Sequence, residues 1–124
     1  MELVKCEKKY WDFVLFLRNR VSSGFVQQHE IQPKEHEKFM EANHKNYFVC
    51  LDQGGPVGFV GDIGGDIRIA VSPSHQNKGV GKFMLNSFLQ SENSSVAKVK
   101  VENEASLRLF ESCGFEKKYY ILER

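Results

Sequence analysis

The chain has 124 residues, of which 41% are hydrophobic and 27% charged, a composition typical of a soluble globular protein. Seventeen basic and sixteen acidic residues give a formal net charge of +1, which argues against a nucleic-acid partner bound through a broad basic face. No apolar stretch approaches the ~20 residues of a membrane span, and we see no signal peptide and no zinc or disulfide pattern among the three cysteines. We therefore expect one domain over residues 1–124, cytoplasmic, with no membrane partner and no metal.

The first part of the chain predicts a short strand followed by two helices. Residues 2–6 are partly apolar and form the candidate strand, and residues 8–18 carry apolar side chains at helical spacing. Residues 19–32 show no sustained period, so we expect a loop there. Pro33 suits the first position of a helix, which we expect over residues 34–43.

A run of strands is expected next. Residues 46–52 are aromatic and β-branched, and residues 56–63 resume the alternation after a glycine-rich turn. Gly64-Gly65 can supply the positive φ angles of a tight hairpin, which leads into a third strand over residues 66–71. Three consecutive antiparallel strands are the simplest arrangement.

The last part of the chain alternates between helix and strand. The apolar period becomes helical from about residue 78, and residues 97–101 alternate as in a strand. A helix over residues 104–113 is ended by Gly114, which favours a left-handed cap, and residues 115–122 predict a final strand. The order of elements predicts an α/β fold of the α+β type, built on one mixed sheet.

The connection between the 66–71 strand and the following helix is suited to an anionic ligand. Pro73 ends the strand, and Gly79 and Gly81 open the helix. The first turn of a helix has unpaired N–H groups and a partial positive charge, and glycine lets a ligand approach the backbone closely. Lys78 and Lys82 add positive charge at the same turn.

Two common phosphate-binding motifs are excluded at this turn. The nucleoside-triphosphate loop needs a glycine five residues before its Gly-Lys pair and a Ser or Thr after it. Around Gly81-Lys82 the chain has Gln76 and Phe83 at these places. The dinucleotide fingerprint needs three spaced glycines, and only two are present.

Two segments resemble the signatures of a known family. Val71-x-Pro73-x-His75-Gln76-x-x-Gly79-x-Gly81 resembles the acetyl-CoA signature of the GNAT N-acetyltransferase superfamily. Asn103-x-x-Ser106-x-x-Leu109-Phe110-x-x-x-Gly114-Phe115 is similar to the second signature of that superfamily and follows in the same order. The resemblance implies the GNAT fold over nearly the whole chain, with a central mostly antiparallel sheet, about four helices and a shortened C-terminus.

The resemblance also implies the activity and the cofactor site. A primary amine, on a small molecule such as an amino sugar, would attack the thioester of acetyl-CoA directly. The strand at 69–71 would splay from the strand at 99–101, and a backbone N–H near 69–71 would stabilise the oxyanion. The implied cofactor-binding residues are Ile69, Ala70, Val71, Gln76, Asn77, Lys78, Gly79, Val80, Gly81, Lys82, Asn103, Ser106 and Phe110. Asn103 also suits a helix N-cap.

The chain departs from the family pattern at its C-terminal end. Many members have a tyrosine at the place of Phe110, and that tyrosine protonates the leaving thiolate. Here Tyr119 or Tyr120 would donate the proton, or the thiolate would leave unaided, since a thiol of pKa near 8.5 is a good leaving group. The shortened sheet leaves an open edge, so a homodimer is a further expectation.

The general base and the acceptor site are less constrained by the motifs. Asp62 and Asp66 flank the hairpin beside the expected cleft and could accept the proton of the amine, although both also suit turn or surface positions. Arg18, Asn19 and His29 are the candidate acceptor-binding residues, with helix-end charge as the alternative for Arg18. His36 is expected on a solvated helix face.

Two alternative functions remain open from the sequence. Phe110 and the short C-terminus are compatible with an acyl-CoA-binding module that has lost catalysis. A protein or peptide N-acetyltransferase would need a groove for an extended chain beside residues 19–32.

Overall fold

The computed structural model describes residues 1–20, 30–91 and 96–124. Most of the predicted 19–32 loop, including His29, lies outside these ranges. None of the helices within them is long and apolar enough to cross a membrane.

Four antiparallel strands form the sheet, in the order β1-β2-β3-β4. They are β1 (Glu2–Lys5), β2 (Tyr47–Asp52), β3 (Gly55–Ile63) and β4 (Asp66–Val71). The β3–β4 turn uses φ angles of +59° at Gly64 and +89° at Gly65, which residues with a Cβ rarely adopt. The antiparallel series predicted for residues 46–71 is confirmed, and the first strand pairs with β2.

The described part of the chain has four α-helices beside the sheet: α1 (Trp11–Arg20), α2 (Pro33–Asn43), α3 (Val80–Ser91) and α4 (Glu104–Ser112). Pro33 occupies the first turn of α2, as predicted. The N–H of Gln32 donates to Glu35 Oε1 at 3.3 Å, so one of the donors left over at this helix end has a partner.

The sheet buries both faces, because strand side chains alternate and each face is covered by helices. Phe59 lies in the layer toward α1 and α2, and the next residue, Val60, lies in the layer toward α3 and α4. The buried residues of the first layer are Cys6, Val14, Leu17, Met40, Tyr47, Val49, Leu51, Phe59 and Ala70. Those of the second layer are Cys50, Val57, Val60, Ile67, Val80, Met84, Leu85, Phe88 and Phe110.

The end of α4 is a complete capping motif. Gly114, with φ of +94°, donates to the Glu111 carbonyl at 3.1 Å, and Phe115 N–H donates to the Phe110 carbonyl at 3.0 Å. The rings of Phe110 and Phe115 meet edge to face at 5.1 Å. These two hydrogen bonds and the apolar contact define a Schellman cap, and the glycine cap predicted at 114 is confirmed.

The two strands predicted near the C-terminus are wrong. Val96 makes one parallel bridge to Asp66, and residues 97–100 have no regular structure. The Lys98 N–H donates to the Asp66 carboxylate at 3.2 Å rather than to a backbone carbonyl of β4, so the ladder does not continue. Residues 115–124 form no strand, because the segment beside which a last strand would pair is itself not a strand.

Candidate active site

A cleft opens where the chain after Val96 leaves β4. Ile67 N–H donates to the Val96 carbonyl at 3.0 Å, and no further rung of backbone pairing follows in the described residues. The cleft is lined by Ile67, Arg68, Ile69, Lys98, Val99, Ser106 and Phe110. The splay expected between residues 69–71 and 99–101 stays a prediction, since residues 97–100 form no strand on that side of the cleft.

The turn before α3 has the backbone geometry of an anion site. A 3₁₀ turn at Pro73–His75 leads to Asn77 and Gly79, whose φ angles are +63° and +81°. A Cβ on Gly79 would meet nothing within 4 Å, so a ligand has room to approach this backbone. Lys78 and Lys82 are exposed at the same turn. The first N–H groups of a helix have no intrahelical acceptor, so the start of α3 offers donors to an anion.

Gly81 has a different role from Gly79. A Cβ at this position would lie 3.1 Å from Leu109 Cδ2 and 3.7 Å from Val71 Cγ2. The missing side chain thus lets the first turn of α3 approach α4 and β4. Close packing of α3 against α4 therefore favours glycine at position 81, and the motif alone does not reveal this role.

Helix α4 presents two predicted residues to the cleft. Asn103 caps the helix, and its Oδ1 accepts the Ser106 N–H at 3.1 Å. Ser106 and Phe110 then line the cleft one turn apart. The N-cap interpretation of Asn103 is confirmed.

Both carboxylates that were predicted as the general base accept a hydrogen bond from a backbone N–H. Asp62 Oδ1 accepts the Gly65 N–H at 2.6 Å across the β3–β4 turn. The Asp66 carboxylate accepts the Lys98 N–H and forms an ion pair with Arg68 Nε at 3.2 Å. Asp66 thereby holds the closed end of the cleft together.

The two C-terminal tyrosines are not brought to the cleft. The Tyr119 and Tyr120 side chains are 91% and 95% exposed. The tail that carries them lacks the strand that would have directed one of them inward.

Arg18 and Asn19 make contacts within the protein. Arg18 Nη1 lies 3.2 Å from His36 Nδ1, and its guanidinium lies 4.2 Å from the centre of the Phe39 ring. Burial lowers the pKa of Arg18. The Asn19 side-chain amide forms two hydrogen bonds with the Ile31 backbone, at 2.8 and 3.2 Å, and so ties the end of α1 to the start of α2.

His36 lies in the interior, so the expected solvated position is wrong. It is 3% exposed, and its Nε2 lies 2.8 Å from the Trp11 carbonyl oxygen. The charged neighbours of His36 in the sequence concealed this, because they lie on other sides of the helix.

Tyr47 is a polar residue of this region that sequence reasoning missed. Its side chain is fully buried, and its hydroxyl has no hydrogen-bond partner among the described residues. Burial raises the pKa of Tyr47 to about 12. Its position opposite Gly61 in the β2–β3 ladder is the signal that could have found it, but only once the register is known.

No described group of three His, Cys, Asp or Glu side chains is arranged to hold a metal ion.

The sequence model of the acetyltransferase (GNAT) domain matches residues 43–117, which include the α3 turn and α4. No curated protein sequence matches the chain significantly.

Solved structures with the same fold include three acetyltransferases. Ribosomal-protein-alanine N-acetyltransferase from Brucella melitensis superposes with a TM-score of 0.80 at 16% identity, over 94% of this chain and 85% of that one. Spermidine N-acetyltransferase from Vibrio cholerae, in complex with CoA and spermine, gives 0.77 at 23% identity, over 99% and 85%. Phosphinothricin acetyltransferase from Sinorhizobium meliloti, in complex with acetyl-CoA, gives 0.79 at 17% identity, over 93% and 74%. At these identities the likeness concerns the fold.

Proposed function

The chain belongs to the acetyltransferase (GNAT) domain family, and we propose that it acetylates the primary amine of a small molecule, with amino sugars among the candidate acceptors. Acetyl-CoA is the acetyl donor of this family of N-acetyltransferases. One observation carries the proposal: β4, whose residues 67–69 line the cleft, leads directly into the glycine-containing turn before α3.

The α3 turn supports a pyrophosphate site. The N–H groups of residues 76–82 would hold the phosphate oxygens, and the open space at Gly79 admits them. Lys78 and Lys82 would add charge at an exposed position. Asn103, Ser106 and Phe110 would contact the arm that reaches into the cleft, where Ser106 and Phe110 form one wall.

The backbone of residues 69–71 would face the reacting thioester. Acetyl-CoA supplies an activated acetyl group, which moves to the amine as a C–N bond forms and the C–S bond breaks. An N–H of residues 69–71 aimed at the developing oxyanion would contribute a few kcal/mol of stabilisation, about the value measured for single donors elsewhere.

The proton of the amine needs an acceptor, and we assign this role to Asp62 or Asp66, directly or through a water molecule. Either carboxylate would act while it keeps the backbone contact described above. The exposure of Tyr119 and Tyr120 favours unaided departure of the thiolate over the proton transfer considered from the sequence.

A binding module without turnover is the second candidate function. Phe110 has no hydroxyl and cannot donate a proton, and no tyrosine lines the described cleft. The two functions agree on acetyl-CoA binding and differ in turnover.

An association of two chains is a further part of the proposal. Tyr119, Tyr120 and Leu122 are more than nine-tenths exposed, and a paired strand of a second copy would cover them. Sedimentation of the full chain, against a chain ending at residue 115, measures this directly. A monomer at both lengths would contradict it.

The test of the function is acetyl-CoA turnover, followed by thiol release, against amino sugars, polyamines, amino acids and short peptides. Acetyl-CoA binding is measured in parallel by calorimetry. Turnover of a small amine supports the proposal, and turnover of peptides alone would replace it with protein acetylation. Binding without turnover of any amine would favour the module, and absence of binding would overturn both.

A further inference from the structure

The ring of Tyr47 crosses the sheet toward β4. Tyr47 pairs with Gly61 on β3, and Gly61 pairs with Arg68 on β4, so the three residues form one row. A Cβ on Gly61 would lie 2.6 Å from Tyr47 Cδ1 and 2.8 Å from Cε1, which means that the ring lies over Gly61. The hydroxyl end of the ring is therefore directed past β3 to the strand that carries Arg68.

Arg68 and Tyr47 share the face of the sheet that is covered by α1 and α2. Ala70 packs in that layer, and Arg68 lies two residues before it on the same strand. Arg68 also lines the cleft beside β4. The row thus connects a buried hydroxyl to the edge of the candidate active site.

Arg18 approaches the Tyr47 ring from α1. Its guanidinium stacks on Phe39, whose ring meets the Tyr47 ring edge to face at 6.0 Å. The positive charge of Arg68 contributes to lowering the pKa of Arg18, so the two cations lie close enough to repel each other.

Two donors in this region have no acceptor among the residues that the structure describes. Tyr47 Oη and Arg18 Nε are both buried and have no hydrogen-bond partner among the described residues. A buried donor without an acceptor costs free energy, and native proteins seldom leave two of them together. Carboxylates are nearby, because Asp66 pairs with Arg68 and Glu35 favours the charged form of Arg18. Neither carboxylate accepts a hydrogen bond from Tyr47 Oη or Arg18 Nε.

We propose that Arg18, Tyr47 and Arg68, which we call the donor cluster, bind an anionic group of the acceptor amine, either a carboxylate or a phosphate. The inference rests on the proposed acetyl transfer, since it concerns the acceptor of that same cleft. Guanidinium and phenol groups together match the oxygens of such an anion. A purely cationic polyamine would meet two like charges here.

Matched amines test the proposal. Glycine is compared with glycinamide, and glucosamine 6-phosphate with glucosamine, by binding to the CoA-loaded protein and by turnover with acetyl-CoA. The anionic member of at least one pair is expected to bind about tenfold or more tightly than its neutral partner. The pair that shows the preference identifies the anion as carboxylate or phosphate.

Variants assign the preference to the donor cluster. Tyr47→Phe keeps the ring over Gly61 and removes only the hydroxyl, so it should weaken binding of the preferred anionic amine about tenfold and leave its neutral partner unchanged. Arg68→Met should have the same selective effect. Arg20→Met is the control, since Arg20 lies at the end of α1 with its guanidinium over Phe16. It should leave the preference intact.

The outcomes separate this inference from the proposed function. Anionic amines that bind selectively without being acetylated would support the donor cluster and contradict acetyl transfer. Acetylation of neutral amines or of spermidine with no preference for an anionic member would support acetyl transfer and overturn the inference. An equal loss for both members of a pair in Tyr47→Phe would assign the hydroxyl a structural role and would also overturn it.

Discussion

Nδ1 of His36 lies 3.2 Å from Nη1 of Arg18, and this contact fixes the protonation state of the buried imidazole. A guanidinium can only donate, so Nδ1 accepts. A backbone carbonyl can only accept, so Nε2 carries the proton and donates to Trp11 at 2.8 Å. His36 is therefore neutral and holds α1 against α2.

We predict that the protein loses stability in mild acid because His36 must become charged. Burial lowers the pKa of His36 and the Arg18 charge lowers it further, against the Trp11 hydrogen bond, which raises it. Below the usual value of 6.5 the unfolded chain binds a proton that the folded chain does not. The contribution of neutral His36 to the free energy of unfolding is thus complete above pH 6.5. It declines as the pH falls toward the lower pKa that His36 has in the folded protein.

Urea denaturation between pH 5 and pH 8 measures this effect. His36→Gln should lower the free energy of unfolding by roughly 1–3 kcal/mol at neutral pH, through lost buried hydrogen bonds, and should remove part of the acid sensitivity. His75→Gln, in the turn before α3, is the control and should keep the wild-type dependence. The same pH profile in His36→Gln as in the wild type would contradict the prediction.

Gly61→Ala is expected to destabilise the sheet, because the new methyl group would lie 2.6 Å from the Tyr47 ring. Overpacking of this kind typically costs about 1–3 kcal/mol. Gly55→Ala, on the same strand, is the matched control. Its Cβ would meet only the Asp52 carbonyl oxygen, at 3.8 Å, so its effect should stay within about 0.5 kcal/mol. Thermal unfolding of both variants measures the difference, and equal effects would refute the close approach of the ring.

Lys82→Glu should weaken acetyl-CoA binding by roughly tenfold or more without loss of stability, because an exposed cation at the first turn of α3 becomes an anion beside the phosphates. Lys45→Glu, also exposed but before β2, provides the same charge change as a control. Calorimetric titration compares the two. Gly81→Glu is a poorer test, since a Cβ there already presses on Leu109 at 3.1 Å.

Asn103→Ala should destabilise the protein by about 1 kcal/mol, because α4 loses the side chain that caps Ser106 N–H. Asn103→Ser should restore most of the stability, since serine is also a good N-cap. If Asn103 also contacts acetyl-CoA, the stable serine variant should still bind the cofactor several-fold more weakly. Unchanged affinity in that variant would leave Asn103 with the capping role alone.

Local sequence signals predicted much of this fold. The Gly64-Gly65 hairpin, the Pro33 helix start and the Gly114 cap were identified because each depends on the φ angle or hydrogen bonding of one or two residues. The glycine-containing turn before α3 was found in the same way. Such features are set within a few residues of chain, so the sequence carries them directly.

Features that depend on a distant partner were beyond the sequence. Residues 97–101 have the alternation of a strand, yet they remain irregular because Asp66 takes the Lys98 N–H that would extend the ladder. The strand predicted at residues 115–122 is absent for the same reason, since a strand needs a paired neighbour.

The sequence by itself determined the family, the order of elements as far as α3 and the glycine-containing turn before α3, because these depend on short-range geometry and a contiguous motif. Only the tertiary structure decided that His36 is buried, that Gly81 faces Leu109, and that Tyr47 crosses Gly61 toward Arg68. Each of these depends on strand register and helix packing, which bring together residues far apart in the chain, and no local pattern encodes which side chains will meet.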